Sequence, residues 1–132
     1  MKTPMTAPTK LSLLQRSADD RYQFFLETVA QTGEVWSLRS KKGWVMMSSD
    51  SEECLPVWPS AELASDWIDG DWADCSPVSI ALDRWFDRWL PGMRRDGIAL
   101  AVFPNMEDEG MVVGPEVLRD DLKVEVDYRQ TA

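Results

Sequence analysis

The sequence predicts an α+β fold, with about three or four helices packed on an antiparallel sheet of about five or six strands. Apolar residues recur at helical spacing in some segments and alternate at strand spacing in others, and short turns separate the two kinds. The 132 residues suit one domain, and a hydrophobic content of 44% suffices for a core. We expect a flexible tail at 1–16, the domain at 17–122, and an edge strand or tail at 123–132.

The first helix is predicted to begin after Ser17 and to end at Gly33. Serine is a good N-cap residue, and glycine readily adopts the left-handed conformation that ends many helices. Between them, the apolar residues recur at intervals of three and four positions, which places them on one face of the helix: Tyr22, Phe25, Leu26 and Val29.

Strand periodicity follows over residues 34–39, 43–47 and 54–58. A reversal at 41–43 joins the first two segments as a hairpin, and the three together predict an antiparallel meander. Pro56 has no N–H to donate to a sheet, so the third strand is predicted to lie at an edge or to carry a bulge.

The middle of the chain returns to helical spacing. A second helix is predicted after Ser60, and a short strand over residues 78–82. Asp83 then caps a third helix, in which Pro91 predicts a kink or a break after Leu90. The apolar stripe of this helix is predicted to face the core and comprises Trp85, Phe86, Trp89, Leu90 and Met93.

The last third begins with a continuous apolar run at 98–103, which predicts a central strand covered on both faces. Residues 111–113 are predicted to return as its partner, and Pro115 starts a final short helix. Apolar and polar residues alternate over 124–128, which predicts an edge strand or an ordered tail.

The net charge of −9 at pH 7 restricts the partners that this surface suits. An acidic surface repels phosphate backbones and anionic lipid, so we expect neither nucleic-acid nor membrane binding, and a basic protein partner fits best. The chain shows no leader and no run of about 20 apolar residues. We therefore predict a cytoplasmic protein, in which Cys54 and Cys75 stay reduced.

The absence of histidine removes the commonest general base and the commonest transition-metal ligand. Two cysteines are too few for a structural zinc site. The acidic run at 69–74 resembles the start of a calcium loop, but the twelfth position is Ile80, which cannot supply a carboxylate. We therefore predict no metal and no cofactor, and we lean against an enzyme.

Seven tryptophans are the most unusual feature of the composition. Most lie where periodicity points inward, but Trp44 follows a turn and Trp72 lies in an acidic loop. An exposed tryptophan is a typical anchor for protein partners. The predicted partner or ligand surface comprises Trp44, Trp58, Trp72, Asp71 and Asp74.

Several motifs, in order, resemble the bacterial family of domain of unknown function 2750. They are Arg21-Tyr22-Gln23-Phe24-Phe25, Gly33-Glu34-Val35-Trp36, Gly43-Trp44, Leu55-Pro56-Val57-Trp58-Pro59, Trp72-Ala73-Asp74, Trp89-Leu90-Pro91 and Val102-Phe103-Pro104-Asn105. The resemblance covers about residues 17–120 and implies a compact bacterial domain. It implies no activity and no catalytic residues.

Two hypotheses about function follow. The first is a non-catalytic protein-interaction or regulatory domain, in one form an antagonist that presents an acidic face to a basic protein, as an immunity protein would. The alternative is a small-ligand module or weak hydrolase with a pocket near Trp44, Trp58 and Trp72. Acidic contacts should weaken as salt rises, whereas a stacked ligand should survive salt.

Overall fold

The computed structural model describes residues 15–49, 52–65, 74–104 and 110–131. Residues 1–14 of the predicted tail, together with Asp71 and Trp72, lie outside them. The elements, in chain order, are α1 (Ala18–Thr32), β1 (Glu34–Ser40), β2 (Gly43–Trp44), β3 (Met47–Ser49), β4 (Glu52–Val57), α2 (Ala61–Ser65), β5 (Ser76–Ala81), α3 (Leu82–Arg84), a π-helical turn (Trp85–Trp89), α4 (Leu90–Asp96), β6 (Ala99–Val102), β7 (Met111–Val113) and α5 (Pro115–Thr131).

The α+β class is confirmed, but the single antiparallel sheet is wrong. The described strands form a three-stranded sheet in the order β2-β1-β5 and a four-stranded sheet in the order β3-β4-β6-β7. Neighbouring strands are antiparallel except β4 and β6, which are parallel. A parallel pair needs a long crossover, and the chain from β4 to β6 provides one through β5 and the helical segment 82–96.

The strand that contains Pro56 is central, contrary to the edge position predicted for it. β4 lies between β3 and β6, but β3 pairs only with residues 52–54. Pro56 therefore lies where β4 has a partner strand in its sheet on one side only, opposite Ala101 of β6. A missing N–H is tolerated at such a position, because no second strand there requires it.

The two sheets meet between β1 and the end of β4. Trp36 and Trp58 exchange backbone hydrogen bonds of 3.0 and 2.8 Å. The buried Ser37 hydroxyl donates to the carbonyl oxygen of Pro56 at 2.6 Å. These three bonds fix β1 against β4 and bring the β2 end of the first sheet close to the second sheet.

The prediction for α1 is confirmed at both ends. The Ser17 hydroxyl accepts a hydrogen bond from the Asp20 N–H at 3.1 Å, and Gly33 is left-handed with φ +77°. The Gly33 N–H donates to the Val29 carbonyl at 2.8 Å. The apolar face is buried, with Phe25 and Val29 fully inaccessible.

Pro91 neither breaks nor ends the helical segment 82–96. The chain instead widens into a π-helical turn over Trp85–Trp89, and the Leu90 N–H donates to the Trp85 carbonyl. α4 then begins at Leu90 and contains Pro91 in its first turn, directly after the π-helical turn. The irregularity therefore lies before Leu90 and not after it, where the kink or break was predicted.

Residues 123–131 continue the helix α5, so the edge strand predicted at the C-terminus is wrong. The helix buries Leu118 and Leu122, four residues apart, against the rest of the domain. The Tyr22 hydroxyl of α1 donates to an Asp121 carboxylate oxygen at 2.6 Å. Packing against α1 therefore outweighs the strand preference of the valines that follow.

The central strand predicted at 98–103 is confirmed as β6, all four residues of which are buried. The chain leaves it through Phe103, which is fully buried and has a positive φ of +52°. Its N–H donates to the Val57 carbonyl at 2.7 Å, and its carbonyl accepts from the Arg21 Nε at 2.9 Å. We call Arg21, Trp58, Phe103, Pro104 and Gly110 the Phe103 cluster.

The other members of this cluster hold the same turn. The buried Trp58 indole donates from Nε1 to the Pro104 carbonyl at 3.1 Å. Gly110 has φ +76°, and a Cβ there would overlap the carbonyl oxygen of Val102.

Within the described ranges, no helix is long and apolar enough to cross a membrane.

Candidate functional site

A surface cleft of about 310 Å³ opens between the β2–β3 region and the helical segment 82–96. Its charged members are Arg88 and Asp96, and Gly92 forms part of the helical wall. We call it the Trp44–Trp89 cleft. Its apolar lining consists of Trp44, Met46, Leu55, Trp89, Met93 and Ile98.

The β1–β2 hairpin places Trp44 at the cleft. Ser40 pairs with Gly43, so the reversal consists of Lys41 and Lys42, and Trp44 lies opposite Arg39. Directly opposed residues of an antiparallel pair point to the same face. The Arg39 guanidinium accordingly lies 5.6 Å from the centroid of the Trp44 ring, within reach of a cation–π interaction.

Trp89 forms the facing wall. Its ring meets Trp44 edge-on, with centroids 4.8 Å apart and an interplanar angle of 88°. On its other side, Trp85 stacks at 5.9 Å and 25°. Trp85 is fully buried, whereas Trp44 and Trp89 remain partly exposed. The three rings therefore extend from the core to the surface, and the outer two line the cleft.

Glycine at position 92 is not explained by the fold. Gly92 lies inside α4 without a positive φ, and a Cβ built there would meet only the Arg95 Nη2, at an ordinary 3.6 Å. A glycine inside a helix is less stable than alanine by about 0.5–1 kcal/mol. The structure shows one benefit of glycine here: because position 92 has no side chain, the cleft beside it stays open.

The two charged groups of the cleft differ in their surroundings. Asp96 lies beside Arg95, with the Arg95 Nε 3.7 Å from its carboxylate. Arg88 is exposed and has neither an ion pair nor a hydrogen bond in the described part of the chain. Eight residues of helix, about 12 Å, separate the two groups, so they mark opposite ends of the cleft.

The predicted surface residues do not come together. Trp58 is fully buried and belongs to the Phe103 cluster, so a surface role for its side chain is wrong. Asp74 is exposed, with an oxygen 3.9 Å from the Cys75 sulfur, and it does not line the cleft. Asp71 and Trp72 lie outside the described residues. Of the predicted set, the structure places Trp44 at the cleft.

The chemistry of the lining suits binding. Indole faces and methionine thioethers contact apolar groups of many shapes. Both cysteines are free and buried away from the cleft, and burial raises the pKa of the Cys75 thiol. Among the described residues, no group of three or more carboxylates and thiols could hold a metal ion.

Sequence reasoning missed Trp89 and Met93 as site residues, because their helical spacing assigned them to the core. Both do pack against the core, Met93 as a buried member and Trp89 as a partly buried one, and both also line the cleft. Gly92 is the signal that could have found the site. A glycine between Pro91 and Met93, inside a predicted helix, costs stability and removes volume from one side of the apolar stripe.

A known protein family covers most of the chain. A model of the family described as "Protein of unknown function (DUF2750)" matches residues 22–122. The chain belongs to this family. The DUF2750 match spans both the Trp44–Trp89 cleft and nearly all of the Phe103 cluster. No curated protein matches the chain. Family membership therefore assigns no activity to the chain.

Proposed function

We propose that this DUF2750 domain is a non-catalytic interaction domain that binds a partner protein through the Trp44–Trp89 cleft. One observation carries the proposal. Two partly exposed tryptophans in edge-to-face contact line an open apolar cleft whose remaining walls include Met46 and Met93. An apolar side chain of a partner would fill this space.

The energetics of binding support the choice of this site. Tryptophan is enriched among the residues that dominate protein interfaces, and such residues lie in pockets that exclude water. Trp44 and Trp89 are held in place by edge-to-face contact and by Trp85 behind them. Because these rings are already ordered, little side-chain entropy is lost when a partner binds.

A finer form of the proposal is a regulatory antagonist that presents an acidic face to a basic protein. The net charge of −9 supports it, since opposite net charges speed association and favour one class of partner. This form requires binding that weakens steeply as the salt concentration rises.

A second candidate is the binding of a small molecule in the same cleft. The size of the cleft favours it, because about 310 Å³ lies at the lower end of the range for small-ligand sites. Such a volume holds one ring system and excludes a dinucleotide-sized cofactor from lying wholly within it.

The test of the main proposal is affinity capture from the host cell extract with matched variants. Gly92→Leu adds a side chain to the cleft wall while keeping every aromatic residue, and Val124→Ala is the control because Val124 is 69% exposed on α5. We expect a stoichiometric protein that the wild type and Val124→Ala retain and Gly92→Leu loses. Equal capture by all three would overturn the cleft as the interface.

The same preparations separate the alternatives. Retention of the partner at high salt excludes the acidic-face form, whereas loss shows only that charged contacts contribute to binding. Mass spectrometry of the wild-type protein under native conditions detects a copurified small molecule. A bound small molecule that Gly92→Leu lacks, without any protein partner, would replace the interaction proposal with the ligand-binding one.

A further inference from the structure

The charges at the tryptophan end of the Trp44–Trp89 cleft are opposite in sign to the net charge of the chain. Arg88 lies on the cleft rim, and the Arg39 guanidinium covers the Trp44 ring. Lys41 and Lys42 form the exposed reversal just before Trp44. Four cations therefore surround the tryptophan end of the cleft in a protein with a net charge of −9.

The nearby acids do not cancel this charge. Asp96 marks the far end of the cleft and lies beside Arg95, 3.7 Å away. Glu52 lies in a neighbouring hollow, on the far side of Met93. Neither carboxylate has a described contact with Arg88, which leaves that guanidinium available to an incoming anion.

We propose that the cleft selects an acidic segment of a partner protein. One aromatic or large aliphatic side chain of the segment enters the cleft and packs against Trp44 and Trp89, and carboxylates beside it meet Arg39, Arg88 and the hairpin lysines. This inference rests on the proposed function and deepens it, because it names the chemistry of the partner at this site.

Arg88 makes the cleft favour negatively charged segments over positively charged ones. A guanidinium binds a carboxylate through two parallel hydrogen bonds, and Arg88 has no competing partner among the described residues. A basic segment would place its cations against Arg39 and Arg88, and like charges in an interface are strongly unfavourable. A basic partner that the net charge would suit must therefore use another face of the domain.

The spread of the cations favours a segment over a free acid. The cleft accommodates one side chain, but Lys41 and Lys42 lie beyond it, at the tip of the hairpin. Successive residues of an extended segment are about 3.3 Å apart, so several of its carboxylates can reach the hairpin and Arg88 together. A free aromatic acid has one carboxylate and leaves most of these cations without a counterion.

The test uses three synthetic peptides that share a central tryptophan and differ only in its flanks: glutamate, glutamine or lysine on both sides. Calorimetric titration of the full-length protein gives each affinity. We expect the glutamate peptide to bind about tenfold or more tightly than the lysine peptide, with glutamine between them. The preference should shrink as salt rises.

A matched pair of variants tests the role assigned to Arg88. Arg88→Gln removes the rim cation, and Arg84→Gln removes an exposed arginine of the same helical segment that does not line the cleft. We expect the first variant to weaken the glutamate peptide by about two- to fivefold and the second to leave its affinity unchanged. Equal effects of the two variants would count against a specific contact.

The remaining outcomes separate this inference from the proposed function. Equal binding of all three peptides, or a preference for lysine, overturns the charge selection and leaves the interaction domain standing. N-acetyltryptophan binding as tightly as the glutamate peptide overturns the choice of a segment. If no peptide binds while cleft-dependent capture of a partner succeeds, the acidic segment is wrong and the proposed function is retained.

Discussion

The Phe103 cluster and the Trp44–Trp89 cleft are both rich in aromatic residues, but they use them in opposite ways. In the cluster, the indole of Trp58 is fully buried and its N–H has a carbonyl acceptor. In the cleft, Trp44 and Trp89 stay partly exposed, and the space between the sheet and the helix is open. The first region satisfies its polar groups internally, whereas the second leaves apolar surface exposed and the Arg88 guanidinium without a partner among the described residues.

This difference separates a structural motif from a site. The cluster holds a non-glycine residue at φ +52° and buries a charged side chain, which needs surroundings that fix every group. The cleft carries features that lower stability without a structural return, namely a glycine inside a helix and exposed indole faces. Mutations should accordingly affect folding at the cluster and binding at the cleft.

The largest loss of stability is expected from Arg21→Ala. The buried guanidinium donates to the Phe103 carbonyl at 2.9 Å and to the Arg16 carbonyl at 2.6 Å. Hydrogen bonds from a charged donor contribute about 1.5–3 kcal/mol each, so we expect the free energy of unfolding to fall by about 4 kcal/mol in urea titrations.

Arg84→Ala is the control for this substitution, because Arg84 is exposed and should change stability by less than about 0.5 kcal/mol. A loss below about 1 kcal/mol for Arg21→Ala would show that the Phe103 turn holds itself without the arginine. The Phe103 cluster would then not be the region on which stability depends most.

The next largest loss of stability is expected from Gly110→Ala, and Gly33→Ala serves as its control. The two residues have nearly the same φ, +76° and +77°, so alanine meets the same backbone penalty of about 1–2 kcal/mol at each. At Gly33 a Cβ meets nothing within 4 Å, whereas at Gly110 it would overlap the Val102 carbonyl. We expect Gly110→Ala to lose about 3 kcal/mol of unfolding free energy and Gly33→Ala about half of that.

Thermal and urea unfolding of both variants measure this difference. Equal losses would mean that the chain near Gly110 moves aside without cost. The close approach of Gly110 to β6 would then not be part of what holds the Phe103 turn.

Sequence reasoning predicted the elements whose signals are local. Ser17 and Gly33 bound a helix with a regular apolar face, and the apolar run at 98–103 contains β6. Sequence reasoning failed for the features that depend on contacts between distant segments of the chain. The parallel pairing of β4 with β6, and the helical continuation at 123–131, depend on a crossover and on packing against α1. Periodicity within a segment carries no information about either.

The site was predicted in part for the same reason. Trp44 was singled out because it follows a turn, and the structure places it at the cleft. Periodicity pointed both Trp89 and Trp58 inward, yet the predicted surface included Trp58, which is fully buried, and left out Trp89, which is not. Which of two inward-facing tryptophans becomes covered depends on packing against distant segments of the chain, which periodicity within one segment does not specify.

A smaller difference in stability is expected between substitutions of two fully buried tryptophans, one in the Phe103 cluster and one behind the cleft. The Trp58 N–H donates to the Pro104 carbonyl, whereas the Trp85 Nε1 has no acceptor among the described residues. Replacement by phenylalanine removes the same atoms in each case. We expect Trp58→Phe to lose about 1.5 kcal/mol more than Trp85→Phe, because only the first breaks a buried hydrogen bond.

Paired urea titrations of these two variants give the difference directly. A larger loss for Trp85→Phe would indicate that its N–H has a partner, such as a bound water molecule, behind the cleft. The description of the Trp85–Trp89 stack as a purely apolar support would then need revision.

The smallest expected effect, Gly92→Ala, has the opposite sign. A Cβ at this position meets only the Arg95 Nη2 at 3.6 Å, and alanine is the better helix former. We expect the variant to be more stable by roughly 0.5–1 kcal/mol in urea titrations while binding its cleft ligand more weakly, because the added methyl group narrows the opening. A gain in stability with a loss of binding would show that the glycine serves the site. A loss of stability would instead show that the backbone at Gly92 requires glycine, and the argument for the cleft would then rest on its tryptophans and on Arg88.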